Sequence, residues 1–168
     1  SVFPCPSYYA AKAATIASYT LRKRPTHSVV DNARVLTAPA EPYRVGRPYH
    51  QRGKGMLEFP IGVTGEWSAR LPFIGTSLVM AGKRGALTLT KLIAGRSLVN
   101  LELHGIDLAD AEEDGLQDLR AHQPDLRKTR VEKAETLRAV FEALHDHGYQ
   151  FVTLAEAAHV FSSIELHG

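Results

Sequence analysis

The stretch from Ser97 to Asp110, "SLVNLELHGIDLAD", decides how the rest of the chain is interpreted. From Leu98 to His104 it is nearly continuous in apolar residues, which is typical of a strand covered on both faces in a parallel sheet. Asp107 follows just beyond the predicted strand end. In folds of alternating strands and helices, functional side chains collect where strands end. The stretch therefore predicts a core strand whose end carries a polar site.

The flanking segments alternate between strand and helix patterns. "GMLEFPIGV" predicts a strand over Met56–Val63, and "KRGALTLTKLIAGRS" predicts a helix with Leu87 and Lys91 on successive turns. "TRVEKAETLRAVFEALHDHG" predicts a long helix that begins with a Thr129–Glu132 capping box. "YQFVTL" and "AEAAHVF" predict a last strand and a last helix, and "YYAAKAATIASYTLRKRP" predicts a first helix. This order predicts the α/β class, with parallel strands alternating with helices.

The long helix carries the clearest amphipathic pattern of the sequence. Val131, Leu137, Val140 and Leu144 recur at helical spacing, so this stripe is predicted to face the core. Gly148 follows as a typical residue after a helix C-terminus.

The whole chain, residues 1–168, is interpreted as a single domain. Its 168 residues and 44% hydrophobic content suffice for one core. Residues 26–55 show no firm periodicity and are punctuated by proline and glycine, which predicts a long basic loop.

Composition excludes several classes of protein. The longest apolar runs fall far short of the roughly 20 residues of a membrane helix, so no membrane span is predicted. Cys5 is the only cysteine, which excludes an internal disulfide and a zinc knuckle built on cysteines. No signal peptide pattern is visible, and we expect a cytoplasmic location.

Charge is divided unevenly along the chain, although the net charge is only +2. Residues 1–100 hold 14 Lys and Arg against 4 Asp and Glu, whereas residues 101–168 hold 6 against 14. A basic half can indicate a nucleic-acid partner. The cations are scattered and accompany no nucleic-acid-binding motif, so no nucleic-acid partner is predicted. Mutual pairing of the two halves, or solvation of the basic loop, is the explanation of the charge that we favour.

His104 is the candidate for chemistry. A neutral imidazole can act as a general acid or base or bind a metal, and a histidine at a strand end can also be a structural hydrogen-bonding residue. Asp107 and Asp110 could orient His104 or bind a cation, but the acidic tract also has the composition of a solvated loop. Glu102 shares the parity of His104 along the predicted strand and would face the same side. The residues alone therefore leave open whether this group is catalytic, binds a cation or is structural.

Four segments in order resemble the polysaccharide deacetylase family. They are "SVFP", "GMLEFPIGV", "SLVNLELHGIDL" and "KAETLRAVFEALHDHGYQFVTLAEA". The resemblance implies a distorted (β/α) barrel and the metal-dependent hydrolysis of N-acetyl groups on amino sugars. It implies that His104 protonates the departing amine. Glu102 stands where the family generally has an apolar residue near the acetyl pocket, and its shared parity with His104 predicts that it joins the site or orients His104. Asp107 is predicted as a further catalytic residue, and Leu103 and Glu58 are predicted to contact substrate.

The early Asp pair and the paired histidines that hold the metal in this family have no counterpart in the sequence. The resemblance therefore implies the C-terminal part of a catalytic domain, a partial (β/α) barrel that lacks the N-terminal half. A divalent metal, zinc foremost, is implied for the complete parent, and no metal ligand is assigned in this chain. The chain alone is expected to be inactive. The implied substrate is an amino-sugar polysaccharide or a glycolipid, and the alternative is a non-catalytic carbohydrate-binding or scaffold domain.

Overall fold

The computed structural model describes residues 2–21, 33–65 and 68–165. Four α-helices are found there: α1 (Pro6–Leu21), α2 (Gly75–Ile93), α3 (Arg130–Asp146) and α4 (Leu154–Glu165). Two strands, β1 (Tyr43–Val45) and β2 (Arg52–Glu58), form an antiparallel hairpin. Short 3-10 turns cover Ala33–Thr37, Gly105–Asp107, Gln117–Leu119 and Pro124–Arg127. Within these residues, no helix combines the length and the apolar character needed to cross a membrane.

The chain divides into two compact units, Ser1–Pro72 and Phe73–Gly168. In the first unit, Val2, Val35 and Ala38 form a small buried cluster against which Tyr9 of α1 packs. The predicted basic loop of residues 26–55 contains the 3-10 turn at Ala33–Thr37, all of β1 and the first part of β2. Its residues 26–32 lie outside the described residues.

The core of the second unit lies between α2 and α3. Its buried members are Phe73, Leu78, Val79, Ala86, Ile93, Leu137, Val140 and Leu144. The helix that the sequence predicts over residues 83–97 is confirmed in its start, because the non-helical Gly82 (φ +64°, ψ 173°) separates it from the first part of α2, but it ends at Ile93. Seven of these side chains lie on α2 and α3, and Phe73 lies just before α2; their burial supplies the main hydrophobic stabilisation of the unit.

Helix α3 begins and ends as the sequence predicts. The Thr129 hydroxyl accepts a hydrogen bond from the Glu132 amide (3.2 Å), and the Glu132 carboxylate accepts one from the Thr129 amide (2.9 Å). Gly148 follows the helix with φ +87°, a conformation that glycine adopts without strain. The predicted apolar stripe is wrong at Val131, which is 64% exposed, while Lys133 on the same helix is fully buried.

Three strand predictions need correction. The predicted strand Met56–Val63 is wrong in its bounds, because β2 begins at Arg52 and ends at Glu58. Residues 98–104 and 149–153 are assigned to no helix or strand. The first segment packs on the core through Val99 and Leu101, and its Glu102 carbonyl accepts a hydrogen bond from the Gly75 amide of α2; the second packs on the same core through Tyr149. The described sheet is antiparallel, and the partial (β/α) barrel with parallel strands stays a prediction.

Candidate functional site

The segment that ends at His104 enters a 3-10 turn formed by Gly105–Asp107. His104 has an extended backbone and directly precedes the turn, where Asp107 takes the third position. The Asp107 carboxylate (Oδ2) accepts a hydrogen bond from the backbone amide of His104 at 2.7 Å. The Asp107 amide in turn donates to the His104 carbonyl at 2.9 Å. These two bonds fix the backbone of His104 relative to the Asp107 side chain.

Asp107 is buried, with 1% of its surface exposed, and each of its carboxylate oxygens has a partner. The Thr76 hydroxyl donates to Oδ1 at 2.8 Å, while Oδ2 receives the His104 amide. A buried carboxylate requires such donors, because an unpaired charge in a low-dielectric interior is strongly unfavourable. Asp107 is therefore held in one position behind the histidine.

Gly75, the first residue of α2, lets the turn approach closely. A Cβ atom placed on Gly75 would collide with Oδ2 of Asp107 and would lie 2.8 Å from Cδ2 of Leu103. The Gly75 amide also donates to the Glu102 carbonyl at 2.9 Å. The start of α2 and the segment before His104 therefore fit together only with glycine at this position.

The His104 ring lies between two carboxylates at the protein surface. Nε2 is 3.8 Å from Oε1 of Glu102, and Nδ1 is 3.8 Å from Oδ2 of Asp107. The His104 side chain is 55% exposed and that of Glu102 is 42% exposed, so solvent reaches the ring. Both distances exceed hydrogen-bond length, and both carboxylates attract the ring electrostatically when it is protonated.

The structure brings three of the predicted site residues together, namely Glu102, His104 and Asp107. Leu103 is 43% exposed and lines a groove, whereas Glu58 belongs to the first unit. There the Glu58 carboxylate accepts a hydrogen bond from the Val2 amide at 2.7 Å.

Asp110 has a structural role in this arrangement. Its Oδ1 accepts hydrogen bonds from the amides of Glu112 (2.9 Å) and Glu113 (3.3 Å), and its Oδ2 accepts one from Arg130 (2.9 Å). These bonds, led by the one from Arg130, hold the pKa of the Asp110 carboxyl below its ordinary value. Its oxygens are thus occupied by backbone amides, which connect the acidic loop to the start of α3.

A buried lysine supports the turn from the side of α3. The Lys133 ammonium donates to the carbonyls of Ile106 (2.9 Å) and Ala109 (2.7 Å), and it lies 3.8 Å from Oδ2 of Asp125. Lys133 and Asp125 are both fully buried, and neither oxygen of Asp125 has a hydrogen-bond partner among the described residues. The interpretation of the sequence missed this pair. The sequence does contain a signal for it, because Lys133 stands at helical spacing from Leu137, Val140 and Leu144 and so falls on the apolar face of the helix.

A groove of about 900 Å³ lies beside the same segment, in the second unit. Its walls are residues 97–101 and 148–154, Leu103, and side chains of α3 and α4. Four aromatic rings contribute to it: Phe141, Tyr149, Phe151 and Phe161. A concave, largely apolar space of this size can hold a small organic ligand.

The described residues do not supply a metal site. No three side chains of His, Cys, Asp or Glu are grouped there so that they could hold a metal ion. The donors present around His104 are therefore not a ligand set for the divalent metal that the family resemblance implies.

Comparisons with protein-family models, with curated proteins and with solved structures find no match to this chain.

Proposed function

We propose that this chain is the proton-donating part of an amino-sugar N-deacetylase of the polysaccharide deacetylase type. The observation that carries the proposal is the position of His104, half-exposed at the surface, with the buried Asp107 carboxylate behind it. The order of the four sequence segments supports the same family. The whole enzyme would also need the N-terminal half of the domain.

In the proposed reaction, water adds to the carbonyl carbon of the acetamide, and the carbon–nitrogen bond then breaks. The departing amine nitrogen takes a proton from the imidazolium of His104, and acetate leaves with the oxygen of the water. The carboxylates of Glu102 and Asp107 lie 3.8 Å from Nε2 and Nδ1 of the ring, so both ring nitrogens have an acidic neighbour. Because the described residues do not fit a metal, activation of the water is assigned to no residue of this chain.

Leu103 and the groove provide the basis for substrate contact. Leu103 is adjacent to His104 in the sequence and lines the groove together with aromatic side chains. Aromatic faces suit the apolar faces of sugar rings and of an acetyl methyl group. This supports an amino-sugar polymer or a glycolipid as the substrate class.

The test uses the complete protein whose reading frame contains this chain, purified with Zn²⁺ and assayed for acetate release from N-acetylglucosamine oligomers. The His104→Ala variant is expected to lose about 100-fold to 10,000-fold in kcat, the range of general acid catalysis. His145→Ala is the matched control, because the His145 side chain is 79% exposed and lies 3.9 Å from the equally exposed carboxylate of its neighbour Asp146. Unchanged kcat in His104→Ala, or equal losses in both variants, would contradict the role of His104.

A second candidate function is carbohydrate binding without turnover, which the aromatic groove favours. In that case the 168-residue chain binds N-acetylglucosamine oligomers in isothermal titration calorimetry. The Phe151→Ala variant is expected to weaken this binding about tenfold, since Phe151 lines the groove and is 63% exposed. Binding by the chain together with an inactive complete protein would favour this candidate over the enzyme.

A further inference from the structure

The β1–β2 hairpin of the first unit is rich in cations and free of acids over residues 42–57. Its turn is closed by a hydrogen bond from the Gly46 amide to the Gln51 carbonyl at 2.7 Å. Arg47 lies in this turn, and Arg52 and Lys54 lie on β2. All three are exposed, and none of them forms an ion pair with a described residue. The charges of Arg47, Arg52 and Lys54 are therefore not paired with a carboxylate of the described residues.

The glycines of β2 pass close to the backbone of β1. A Cβ atom on Gly55 would lie 2.6 Å from the Val45 carbonyl oxygen, and one on Gly53 would lie 3.0 Å from the same atom. The pairing register shifts here, because Val45 pairs with Arg52 while Arg44 pairs with Leu57, so residues 53–56 lie outside the regular ladder. Arg52, Lys54 and Met56 are all exposed in this irregular stretch.

Two apolar side chains are exposed beside these cations. Met56 is 80% exposed and Tyr49, in the turn, is 44% exposed. A polyanion that binds through its phosphates alone makes no use of an exposed methionine. The interfacial layer of a bilayer can bind both the cationic and the apolar side chains. Headgroup phosphates attract the cations, and the boundary with the acyl chains accommodates the apolar groups.

We propose that the β1–β2 hairpin docks on the surface of a bilayer that contains anionic phospholipid. Arg47, Arg52 and Lys54 contact the headgroup phosphates, and Met56 enters the interfacial layer. A lysine or arginine near an anionic surface strengthens binding about fivefold, so the three together contribute roughly 100-fold. This docking is peripheral, and it stands independently of the proposed chemistry at His104.

The test is cosedimentation of the 168-residue chain with vesicles of phosphatidylcholine alone and of phosphatidylcholine with 30% phosphatidylglycerol. The chain is expected to bind the anionic vesicles and not the neutral ones, and binding is expected to weaken with rising salt. The triple variant Arg47→Gln, Arg52→Gln, Lys54→Gln is expected to bind roughly 100-fold more weakly. The control triple variant Lys83→Gln, Arg84→Gln, Lys91→Gln makes the same charge change at exposed positions of α2 and is expected to bind like the parent.

Insertion is tested separately with Met56→Trp, whose added fluorescence should shift to shorter wavelength on anionic vesicles. Circular dichroism melts of all variants establish that each is folded. Equal loss in both triple variants, equal binding to neutral vesicles, or absence of a wavelength shift would overturn the proposal. Tighter binding to a single-stranded oligonucleotide than to anionic vesicles at the same salt would overturn it in favour of a nucleic-acid partner.

Discussion

At the residue scale, the site depends on how the Asp107 carboxylate is held. Thr76 and the His104 amide each occupy one of its oxygens, and Gly75 leaves room for it against α2. Because two donors hold this buried carboxylate in one position, its location relative to the His104 ring is also fixed. Thr76 is therefore a positioning residue that acts through Asp107.

Removal of the Thr76 hydroxyl tests this arrangement. Thr76→Val keeps the side-chain shape but removes the hydroxyl that donates to Oδ1 of Asp107, and we expect the free energy of unfolding to fall by about 1–3 kcal/mol. Thr88→Val is the control, since the exposed Thr88 hydroxyl bonds only to the Arg84 carbonyl of its own helix. Urea denaturation of both variants measures the difference. A loss no larger for Thr76→Val than for Thr88→Val would show that Asp107 does not depend on this hydrogen bond.

At the scale of elements, α3 supports the turn that follows His104 from two directions. Lys133 reaches the carbonyls of Ile106 and Ala109, while the first residue of the helix, Arg130, donates its amide to Asp110. The side chain of Arg130 also pairs with Asp114 at 2.7 Å. The helix thus organises an acidic loop that contains no regular secondary structure beyond short 3-10 turns.

The buried pair of Lys133 and Asp125 makes a strong stability prediction. Lys133→Met removes two hydrogen bonds and leaves the buried Asp125 carboxylate uncompensated, so we expect a loss of about 3–5 kcal/mol. The double variant Lys133→Met, Asp125→Leu is expected to recover much of this loss, because the unpaired charge is then gone. Chemical denaturation of the single and double variants measures the coupling.

Lys128→Met is the comparison for an exposed pair. Lys128 lies 3.6 Å from Glu132 and is 40% exposed on its side chain, so its loss is expected to cost less than about 1 kcal/mol. Similar losses for Lys128→Met and Lys133→Met would mean that the buried pair contributes nothing special to the unit.

Asp110 predicts how stability changes in acid. Its folded-state pKa is lowered by backbone hydrogen bonds, first among them that from Arg130. Its contribution is therefore complete above pH 3.8, the ordinary value, and is lost as pH falls below 3.8 through the lower folded-state pKa. Asp110→Asn is expected to melt below the parent at pH 6, with the gap narrowing as pH falls below 3.8. A gap that is constant with pH would assign the effect to the shape of the side chain and not to its charge.

At the scale of the whole molecule, each of the two units has its own buried cluster. Val2, Val35 and Ala38 belong to Ser1–Pro72, and the core between α2 and α3 belongs to Phe73–Gly168. The candidate acid and the groove lie in the second unit, and the basic hairpin lies in the first. Chemistry and surface binding are thus proposed for separate units.

The groove predicts binding of an apolar dye by the folded protein. An anilinonaphthalene sulfonate dye is expected to fluoresce with the native chain, and Phe151→Ser is expected to lower that signal several-fold. Leu92→Ser is the control, because Leu92 is 43% exposed on α2 and does not line the groove. Near-ultraviolet circular dichroism excludes a molten state as the origin of the signal. An equal signal from the parent and Phe151→Ser would place the dye elsewhere.

The sequence by itself determined α3 and the part of α2 that follows Gly82, but it did not predict the helical residues 75–81. The capping box and the terminal glycine of α3 are local signals, because helix ends are satisfied by residues within a few positions of them. The proximity of Glu102, His104 and Asp107 also followed from spacing, since these residues lie within six positions of each other.

Only the tertiary structure decided what stands behind His104. Thr76 and Asp107 are 31 residues apart, and Lys133 and Ile106 are 27 apart, so their hydrogen bonds depend on how α2 and α3 pack. The strand prediction for residues 98–104 was wrong for the same reason. An apolar run indicates that a segment will be buried. Whether that segment joins a sheet as a strand or packs on helices without pairing depends on long-range packing, which no local pattern contains.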